Sequence, residues 1–156
     1  MSRTLKHSRR GRAAAILSAT VTAVALPVIL ASPAQAVSIG GCTASPVRPY
    51  VVGLNPSGNK LVRYDVNVTC SPGRSVQLNQ QVREEDTFTD DTIVSRYVNR
   101  SFANGGTQQI SYTRTLPNTE LGDEEMYQRI RFRVTSNGVT SPFTGWHKSA
   151  VRTIAN

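Results

Sequence analysis

Residues 126–146, MYQRIRFRVTSNGVTSPFTGW, decide the fold. In the first half of this stretch apolar residues alternate with polar or charged ones, which is the period of a β-strand with one buried face. Asn137 and Gly138 follow as the two positive-φ residues that a type I′ turn needs, so a second strand is predicted to fold straight back. The predicted buried face carries Met126, Ile130, Phe132 and Val134, and the opposite face carries Tyr127, Arg129, Arg131 and Arg133.

Strand-like runs separated by turn signals recur through the chain after Val37, and no stretch there has a helical period. We therefore predict an all-β fold, an antiparallel β-sandwich of seven to eight strands whose architecture is similar to that of immunoglobulin and fibronectin domains. The sequence departs from the immunoglobulin pattern because its only Trp lies near the C-terminus, not between the two cysteines. The further predicted strands are residues 43–52, 61–70, 76–82, 92–102, 109–116 and 148–154.

The N-terminus has the three parts of a secretory signal peptide. Basic residues precede an apolar run at 13–30, and Ala34 and Ala36 are the small residues of a signal peptidase site. The protein is therefore predicted to be secreted to the extracellular space. The predicted organisation is a signal peptide at residues 1–36, cleaved before Val37, and a single β-sandwich domain at residues 37–156.

Three other interpretations of the N-terminus stay open. The apolar run is at the limit of what an uncleaved membrane anchor needs, and Arg9 with Arg10 forms a pair that would direct twin-arginine export. Residues 39–42, IGGC, resemble a lipobox that would make Cys42 a lipidated N-terminus. Pro27 and the small-residue site favour cleavage, and the distance of residues 39–42 from the apolar run favours a disulfide over lipidation.

The two cysteines are predicted to form a disulfide, because a secreted domain folds in an oxidising compartment. The sequence Asn55-Pro56-Ser57-Gly58 has Pro and Gly at the second and fourth positions that a type I turn prefers. A turn centred there pairs residue i with residue 112 − i, which places Cys42 opposite Cys70 and Tyr50 opposite Val62.

Two prolines mark the first strand of this hairpin as an edge strand. Pro46 and Pro49 have no backbone N–H to donate to a neighbouring strand, so the strand at residues 43–52 is predicted to lie at the edge of its sheet.

The positive charge of the chain resides mostly in the leader. Of 18 Lys and Arg and 10 Asp and Glu, five basic residues and no acidic ones precede Val37, so 13 against 10 remain and the net charge falls from +8 to +3. A nearly balanced domain gives no electrostatic reason to expect nucleic-acid binding, and no membrane association is predicted after cleavage.

The mature region offers few residues for catalysis. His147 is its only His, and no Gly-x-Ser-x-Gly nucleophile motif is present. The acidic residues at 84–91, which include Asp86, Asp90 and Asp91, do not match the spacing of a calcium loop and are predicted to be solvated loop charge. We predict that the protein is not an enzyme and needs neither a cofactor nor a metal ion.

The outer face of the 126–146 hairpin carries the candidate ligand-binding residues. Guanidinium groups beside aromatic rings can bind anionic or sugar ligands by forked hydrogen bonds and stacking. Two alternatives stay open: Trp146 lies in the core, or it stacks on the Arg129 stem as a structural pair. The candidates are Tyr127, Arg129, Arg131, Arg133, Trp146 and Lys148, and a pairing of residue i with residue 275 − i sets Arg133 opposite Pro142, Arg131 opposite Thr144, Arg129 opposite Trp146 and Tyr127 opposite Lys148.

These features together predict a small secreted bacterial protein that acts as an extracellular binding module. Its predicted partner is an anionic cell-envelope polymer, a glycan or a secreted protein. The alternative hypothesis is a secreted inhibitor of an extracellular hydrolase or protease, which would present the loop at residues 116–122.

Overall fold

The computed structural model describes residues 36–86, 89–117 and 122–155, and within these ranges the chain contains strands and turns but no helix. Alternating burial follows from the alternating sequence: every even-numbered residue from Glu124 to Val134 is buried. The strands are β1 (Val37–Ile39), β2 (Cys42–Pro46), β3 (Tyr50–Leu54), β4 (Lys60–Cys70), β5 (Arg74–Glu84), β6 (Asp91–Phe102), β7 (Gly106–Thr115), β8 (Glu124–Ser136), β9 (Val139–Thr140), β10 (His147–Lys148) and β11 (Arg152–Ile154).

Two antiparallel sheets pack face to face. In the first sheet β4 pairs with β7 on one side and with β2 and β3 on the other, and β1 pairs with β2. In the second sheet β5 lies between β6 and β8, and the short strands β9, β10 and β11 all pair with the free side of β8. The predicted all-β sandwich is confirmed, with 11 described strands instead of the seven to eight predicted, because the strands predicted at residues 43–52 and 148–154 and the return strand after Gly138 are interrupted and β1 was not predicted.

The disulfide prediction is confirmed. Cys42 lies opposite Cys70 in the β2–β4 ladder, and the two residues are bonded with their Cα atoms 4.1 Å apart. The other predicted pair of this hairpin is wrong: Tyr50 lies opposite Arg63, not Val62. The hairpin begins with Leu54 opposite Lys60, and the register shifts by one residue between Gly53 and Val51 and by one more between Tyr50 and Pro46, so the predicted register holds only from Pro46 to Cys42. A disulfide of this kind is compatible with an extracellular protein.

The predicted edge strand at residues 43–52 is two strands, and only the second lies at an edge. β1 covers the outer side of β2, whereas β3 has β4 as its only neighbour among the described strands. All five residues of β3 are exposed, and Leu54 retains 62% of its accessible surface. The positive φ of Gly53 and the register shift beside it make this edge irregular, which discourages pairing with another chain.

The long return strand predicted after Asn137-Gly138 is interrupted. The turn itself forms, with Thr135 opposite Thr140, but β9 is only two residues long. From Ser141 onward hydroxyl groups replace part of the ladder: the backbone N–H of Val134 donates to Ser141 Oγ at 3.0 Å, and that of Phe132 donates to Thr144 Oγ1 at 3.1 Å. The predicted strand at residues 148–154 is likewise shorter, and its β-sheet pairing is split between β10 and β11.

The core consists of two apolar clusters separated by a buried amide pair. Gln80 and Gln128 are fully buried, and Gln80 Nε2 donates to Gln128 Oε1 at 2.6 Å. Gln128 Nε2 in turn donates to the carbonyls of Val47 at 2.7 Å and Asp65 at 2.8 Å, so the pair joins the two sheets. One cluster contains Cys42, Ala44, Val66, Val68, Cys70, Val76, Leu78, Phe102, Ile110, Ile130, Phe132 and Val134, and the other contains Val62, Tyr64, Val82, Leu116, Met126 and Ile154.

Side chains along β6 and β7 also join the sheets. Gln108 Nε2 donates to the carbonyl of Ser101 at 2.8 Å, and Arg114 Nη1 donates to that of Ile93 at 3.1 Å. These contacts close one side of the sandwich without a covalent link.

The acidic residues predicted to be solvated loop charge are less exposed than expected. Glu84 is the last residue of β5 and only 3% exposed. Asp90 accepts a hydrogen bond from a tyrosine and Glu85 forms an ion pair with a lysine, both described below. Residues 87–88 of this predicted loop lie outside the described residues.

A buried carboxylate lies on the outer face of the first sheet. Asp65 is 2% exposed, and it accepts hydrogen bonds from Tyr50 Oη at 2.7 Å and from Arg63 Nε at 3.0 Å. Burial alone raises the pKa of this carboxyl, but hydrogen bonds from Ser111, Tyr50 and Arg63 outweigh burial and hold the pKa below its usual value.

The predicted leader lies outside the described residues except for Ala36, so the cleavage motif with Ala34 stays a prediction. Among the residues that are described, none belongs to a helix long and apolar enough to cross a membrane.

Candidate functional site

The candidate site is the outer face of the second sheet. Because Met126, Ile130 and Phe132 face the core, the arginines between them in β8 face outward. Antiparallel pairing brings outward amides of β5 beside them: Gln81 lies opposite Arg129, Asn79 opposite Arg131 and Gln77 opposite Arg133.

Aromatic rings from the segment after β9 interleave with these arginines. The guanidinium carbon of Arg129 lies 4.5 Å from the centroid of the Trp146 ring, and that of Arg131 lies 4.7 Å from the same centroid. Phe143 lies 5.1 Å from Arg131 and 4.9 Å from Arg133, measured in the same way. We call these five residues the arginine–aromatic ladder.

Trp146 does not lie in the core, because it is half-buried on the outer face and stacks on Arg129. The predicted register is nevertheless wrong beyond the turn: Lys148 lies opposite Arg129, and His147 opposite Ile130. The shift arises because Pro142 and the hydroxyl contacts of Ser141 and Thr144 interrupt the ladder of backbone hydrogen bonds. Trp146 therefore reaches Arg129 from the side and contacts Arg131 as well.

Two of the three arginines are fixed by the amides of β5. Arg129 Nε donates to Gln81 Oε1 at 2.8 Å, and Arg133 Nε donates to Gln77 Oε1 at 2.9 Å. Asn79, one methylene shorter, does not reach Arg131, whose Nε is buried and has no hydrogen-bond partner among the described residues. Stacking between Trp146 and Phe143 is therefore what holds the central guanidinium.

The terminal nitrogens of these guanidinium groups remain available. Within the described ranges, Nη1 and Nη2 of Arg129, Arg131 and Arg133 donate no hydrogen bond to the protein, and no carboxylate forms an ion pair with any of the three. Burial lowers the pKa of Arg129, with a smaller contribution from the neighbouring charge of Arg83, but an arginine stays protonated throughout the physiological range. The face thus presents three fixed positive charges, none of which forms an ion pair with a described carboxylate, although Asp90 is near enough to Arg129 to raise its pKa slightly.

Tyr127 and Lys148 form the more neutral end of the face. Tyr127 is 2% exposed, its hydroxyl donates to Asp90 Oδ2, and Lys148 Nζ lies 3.9 Å from its ring centroid. Lys148 also forms an ion pair with Glu85. Burial, followed by the hydrogen bond to Asp90, raises the pKa of Tyr127 to about 12, so the hydroxyl stays protonated. Of the six predicted ligand-binding residues, these two are the least available to a ligand.

A cavity of about 420 Å³, with both polar and apolar lining, opens on the same face beyond Arg133. It is lined by hydroxyl and amide side chains of β5, β6, β8 and β9, and its floor follows the paired residues Ser75, Ser101 and Thr135. This volume lies within the range of about 300 to 1,000 Å³ that small-molecule sites occupy.

Several residues that complete the face were not among the predicted site residues. Phe143 precedes Trp146 by three positions. In a regular strand this spacing places the two rings on opposite faces, so Phe143 was not predicted to share the outer face with Trp146. Tyr97 of β6, which is 58% exposed, contacts Phe143 with its centroid 6.5 Å away. The amides of Gln77 and Gln81 alternate visibly in sequence, but only the pairing of β5 with β8 brings them to the arginines.

The other candidate chemistry is spread out. His147 is half-buried in β10, and no described carboxylate hydrogen-bonds its imidazole. Across residues 36–86, 89–117 and 122–155 no three His, Cys, Asp or Glu side chains cluster so as to hold a metal ion. In the predicted inhibitory loop Leu116 is 8% exposed, and residues 118–121 lie outside the described residues.

Comparison with known proteins finds no family model that matches this chain and no curated protein with a significant match.

Proposed function

We propose that the domain is a secreted bacterial binding module whose arginine–aromatic ladder binds an anionic polymer of the cell envelope. The observation that carries the proposal is the set of three stacked arginines with unpaired terminal nitrogens on an outer face.

Stacking supports binding because it fixes the arginines without consuming their hydrogen-bond donors. Trp146 and Phe143 cover the flat faces of the guanidinium groups, whereas the N–H donors lie in the plane of each group and point past the rings. The arginine side chains lose their rotamer entropy when the domain folds, so they lose little more when a ligand binds. Their N–H donors are therefore preorganised for phosphate or carboxylate groups.

The spacing of the arginines supports a polymer over a single small anion. Arg129, Arg131 and Arg133 alternate along one strand, so their Cα atoms repeat at roughly 7 Å. A chain with regularly spaced negative charges can contact all three at once, and the contributions of the three sites then combine.

The compartment supports an extracellular target. The signal-peptide pattern at residues 1–36 and the Cys42–Cys70 disulfide both suit export to an oxidising environment. A polymer of the envelope is the anionic material that a secreted bacterial protein meets at high concentration.

The test is co-sedimentation and calorimetric titration of residues 37–156 with polygalacturonate and with poly(glycerol phosphate) teichoic acid, using dextran as the neutral polymer. The variant Arg131→Gln with Arg133→Gln is expected to weaken binding to the anionic polymers by about tenfold or more, because each charge-assisted hydrogen bond contributes about 1.5 to 3 kcal/mol. Raising the salt concentration should weaken wild-type binding as well.

The matched control is Arg152→Gln, which makes the same type of charge change at an exposed arginine of β11, away from the ladder. Circular dichroism and the urea midpoint of each variant establish that it is folded. Equal polymer affinity of the wild type and the double variant, or equal affinity for dextran and the anionic polymers, would refute the proposal.

A further inference from the structure

The ladder ends asymmetrically. Arg131 lies between two rings, Trp146 and Phe143, but Arg133 contacts only Phe143 and faces the cavity with its other side. Its Nε is fixed by Gln77, whereas its terminal nitrogens have no acceptor among the described residues. The last guanidinium is therefore held in position at the wall of an open cavity.

The cavity floor has an ordered composition. Ser75 lies opposite both Ser101 and Thr135, and Thr135 lies opposite Thr140, so four small hydroxyl residues cross the sheet in one row. Small side chains in this row, beside the long side chains of the ladder, are what make the face concave here. Arg100 also lines the cavity.

A second row runs beside the first. Gln77 lies opposite both Asn99 and Arg133, so two amides and one guanidinium form one wall. No carboxylate of the described residues lines the cavity, whereas two arginines, Arg100 and Arg133, line it and give it positive charge. The lining therefore combines hydroxyls and amides, which exchange hydrogen bonds with a polyol, with a positive group that favours one negative charge.

We propose that this cavity is a subsite for one acidic sugar residue, a hexuronate unit of an acidic polysaccharide. The sugar carboxylate accepts hydrogen bonds from the terminal nitrogens of Arg133, and the sugar hydroxyls bind the row of Ser and Thr hydroxyls and the two amides. This inference rests on the proposed function and narrows its anionic polymer to a polysaccharide that carries uronic acids.

Other ligand chemistries fit the cavity less well. A free phosphate or sulfate would fill only a small part of about 420 Å³ and would leave most of the hydroxyl row without a ligand, although Thr135 and Thr140 already share a hydrogen bond of 2.7 Å. A neutral sugar would leave the Arg133 charge unmatched in a partly covered site, and an aromatic side chain of a partner protein would bury the polar floor without hydrogen bonds.

The experiment titrates residues 37–156 with trigalacturonic acid and with maltotriose as the neutral trisaccharide, by calorimetry and by amide chemical shifts. The test variant is Ser75→Val with Thr135→Val, which removes floor hydroxyls and keeps residues that suit a strand. The control is Thr69→Val, at an exposed threonine on the outer face of the first sheet.

The expected result is that trigalacturonate binds the wild type and Thr69→Val equally, binds the floor variant at least about tenfold more weakly, and shifts the amides of Ser75, Gln77 and Thr135. Maltotriose should bind none of the three proteins. The shift map on the wild type tests the location even if the floor variant fails to fold.

Three results would overturn the inference. Unchanged trigalacturonate affinity of a folded floor variant, or shifts confined to another surface, would place the sugar elsewhere. Binding of polygalacturonate without binding of trigalacturonate would reject the subsite and leave the polymer proposal intact. Failure to bind any anionic polymer would reject both proposals.

Discussion

The buried amide pair makes an asymmetric prediction about stability. Replacing Gln128 with Leu removes the donor to the Val47 carbonyl, while the Asp65 carbonyl keeps a hydrogen bond from the Val47 N–H at 2.8 Å. Gln80 Nε2 would retain only its contact of 3.4 Å with the Tyr64 carbonyl. Two buried groups thus lose their partners at about 1 to 3 kcal/mol each, and added apolar burial returns about 1 kcal/mol.

Replacing Gln80 with Leu should cost much less. Gln128 Oε1 would lose its donor, but Gln80 Oε1, which is buried and has no hydrogen-bond partner in the described structure, would disappear at the same time. These changes are similar in size and opposite in sign. We expect a loss of about 2 to 4 kcal/mol for Gln128→Leu and a change within about 1 kcal/mol for Gln80→Leu.

Urea unfolding of residues 37–156, followed by circular dichroism, measures this difference. With a denaturant slope near 1.5 kcal/mol per molar, the midpoints of the two variants should differ by about 1 to 2 M. The double variant completes a thermodynamic cycle and should be more stable than Gln128→Leu alone, because it also removes the stranded Gln80 amide. A Gln80→Leu variant as unstable as Gln128→Leu would refute this account of the pair.

Further predictions concern the disulfide, the ladder and two ionisable groups. Replacing Cys42 and Cys70 with Ala should lower the free energy of unfolding by about 3 to 4 kcal/mol, and a urea midpoint unchanged from the oxidised wild type would contradict this. Trp146→Ala should lower the free energy of unfolding by about 2 to 3 kcal/mol, since it removes two cation–π contacts and half-buried ring area. A decrease of less than about 0.5 kcal/mol would contradict this structural role of Trp146. Because the pKa of Asp65 is lowered from 3.8 on folding, its contribution to stability is present above that value and is lost as the pH falls through the folded pKa; Asp65→Asn should therefore flatten the acid limb of a plot of unfolding free energy against pH. The raised pKa of Tyr127 has the opposite sign, so its contribution is present below pH 10 and is lost as the pH rises towards about 12, and Tyr127→Phe should remove that loss in the same plot at alkaline pH.

Local sequence signals predicted the class of fold and the disulfide because both depend on short-range rules. Alternation identifies a half-buried strand wherever it occurs, and a chain with only two cysteines after a predicted signal peptide is expected to bond them to each other. The register rule failed for Tyr50 and held for Cys42, because Leu54 lies opposite Lys60 beside the turn and the register then shifts by one residue on each side of Tyr50, which restores the predicted sum only at Pro46. A fixed sum of residue numbers holds only where no residue is inserted or displaced.

The candidate site was predicted in part for a related reason. The arginines of β8 share a face by parity alone, so their outward position followed from the sequence. The contacts that fix them did not, because Gln77 lies 56 positions from Arg133 and the sequence does not state which strands are neighbours. Phe143 was also missed, because side-chain hydroxyls of Ser141 and Thr144 replace backbone partners where a regular strand was expected.

The Cys42–Cys70 disulfide joins neighbouring strands of the first sheet. The described contacts that join the two sheets are non-covalent. Under mechanical tension applied to the two ends of the domain, the sheets can separate, but the 28-residue segment closed by Cys42 and Cys70 cannot extend. At roughly 3.4 Å per residue that segment conceals about 90 Å of contour length. A reducing agent would release this length in a pulling measurement, so the domain would extend further under reducing conditions than under oxidising ones.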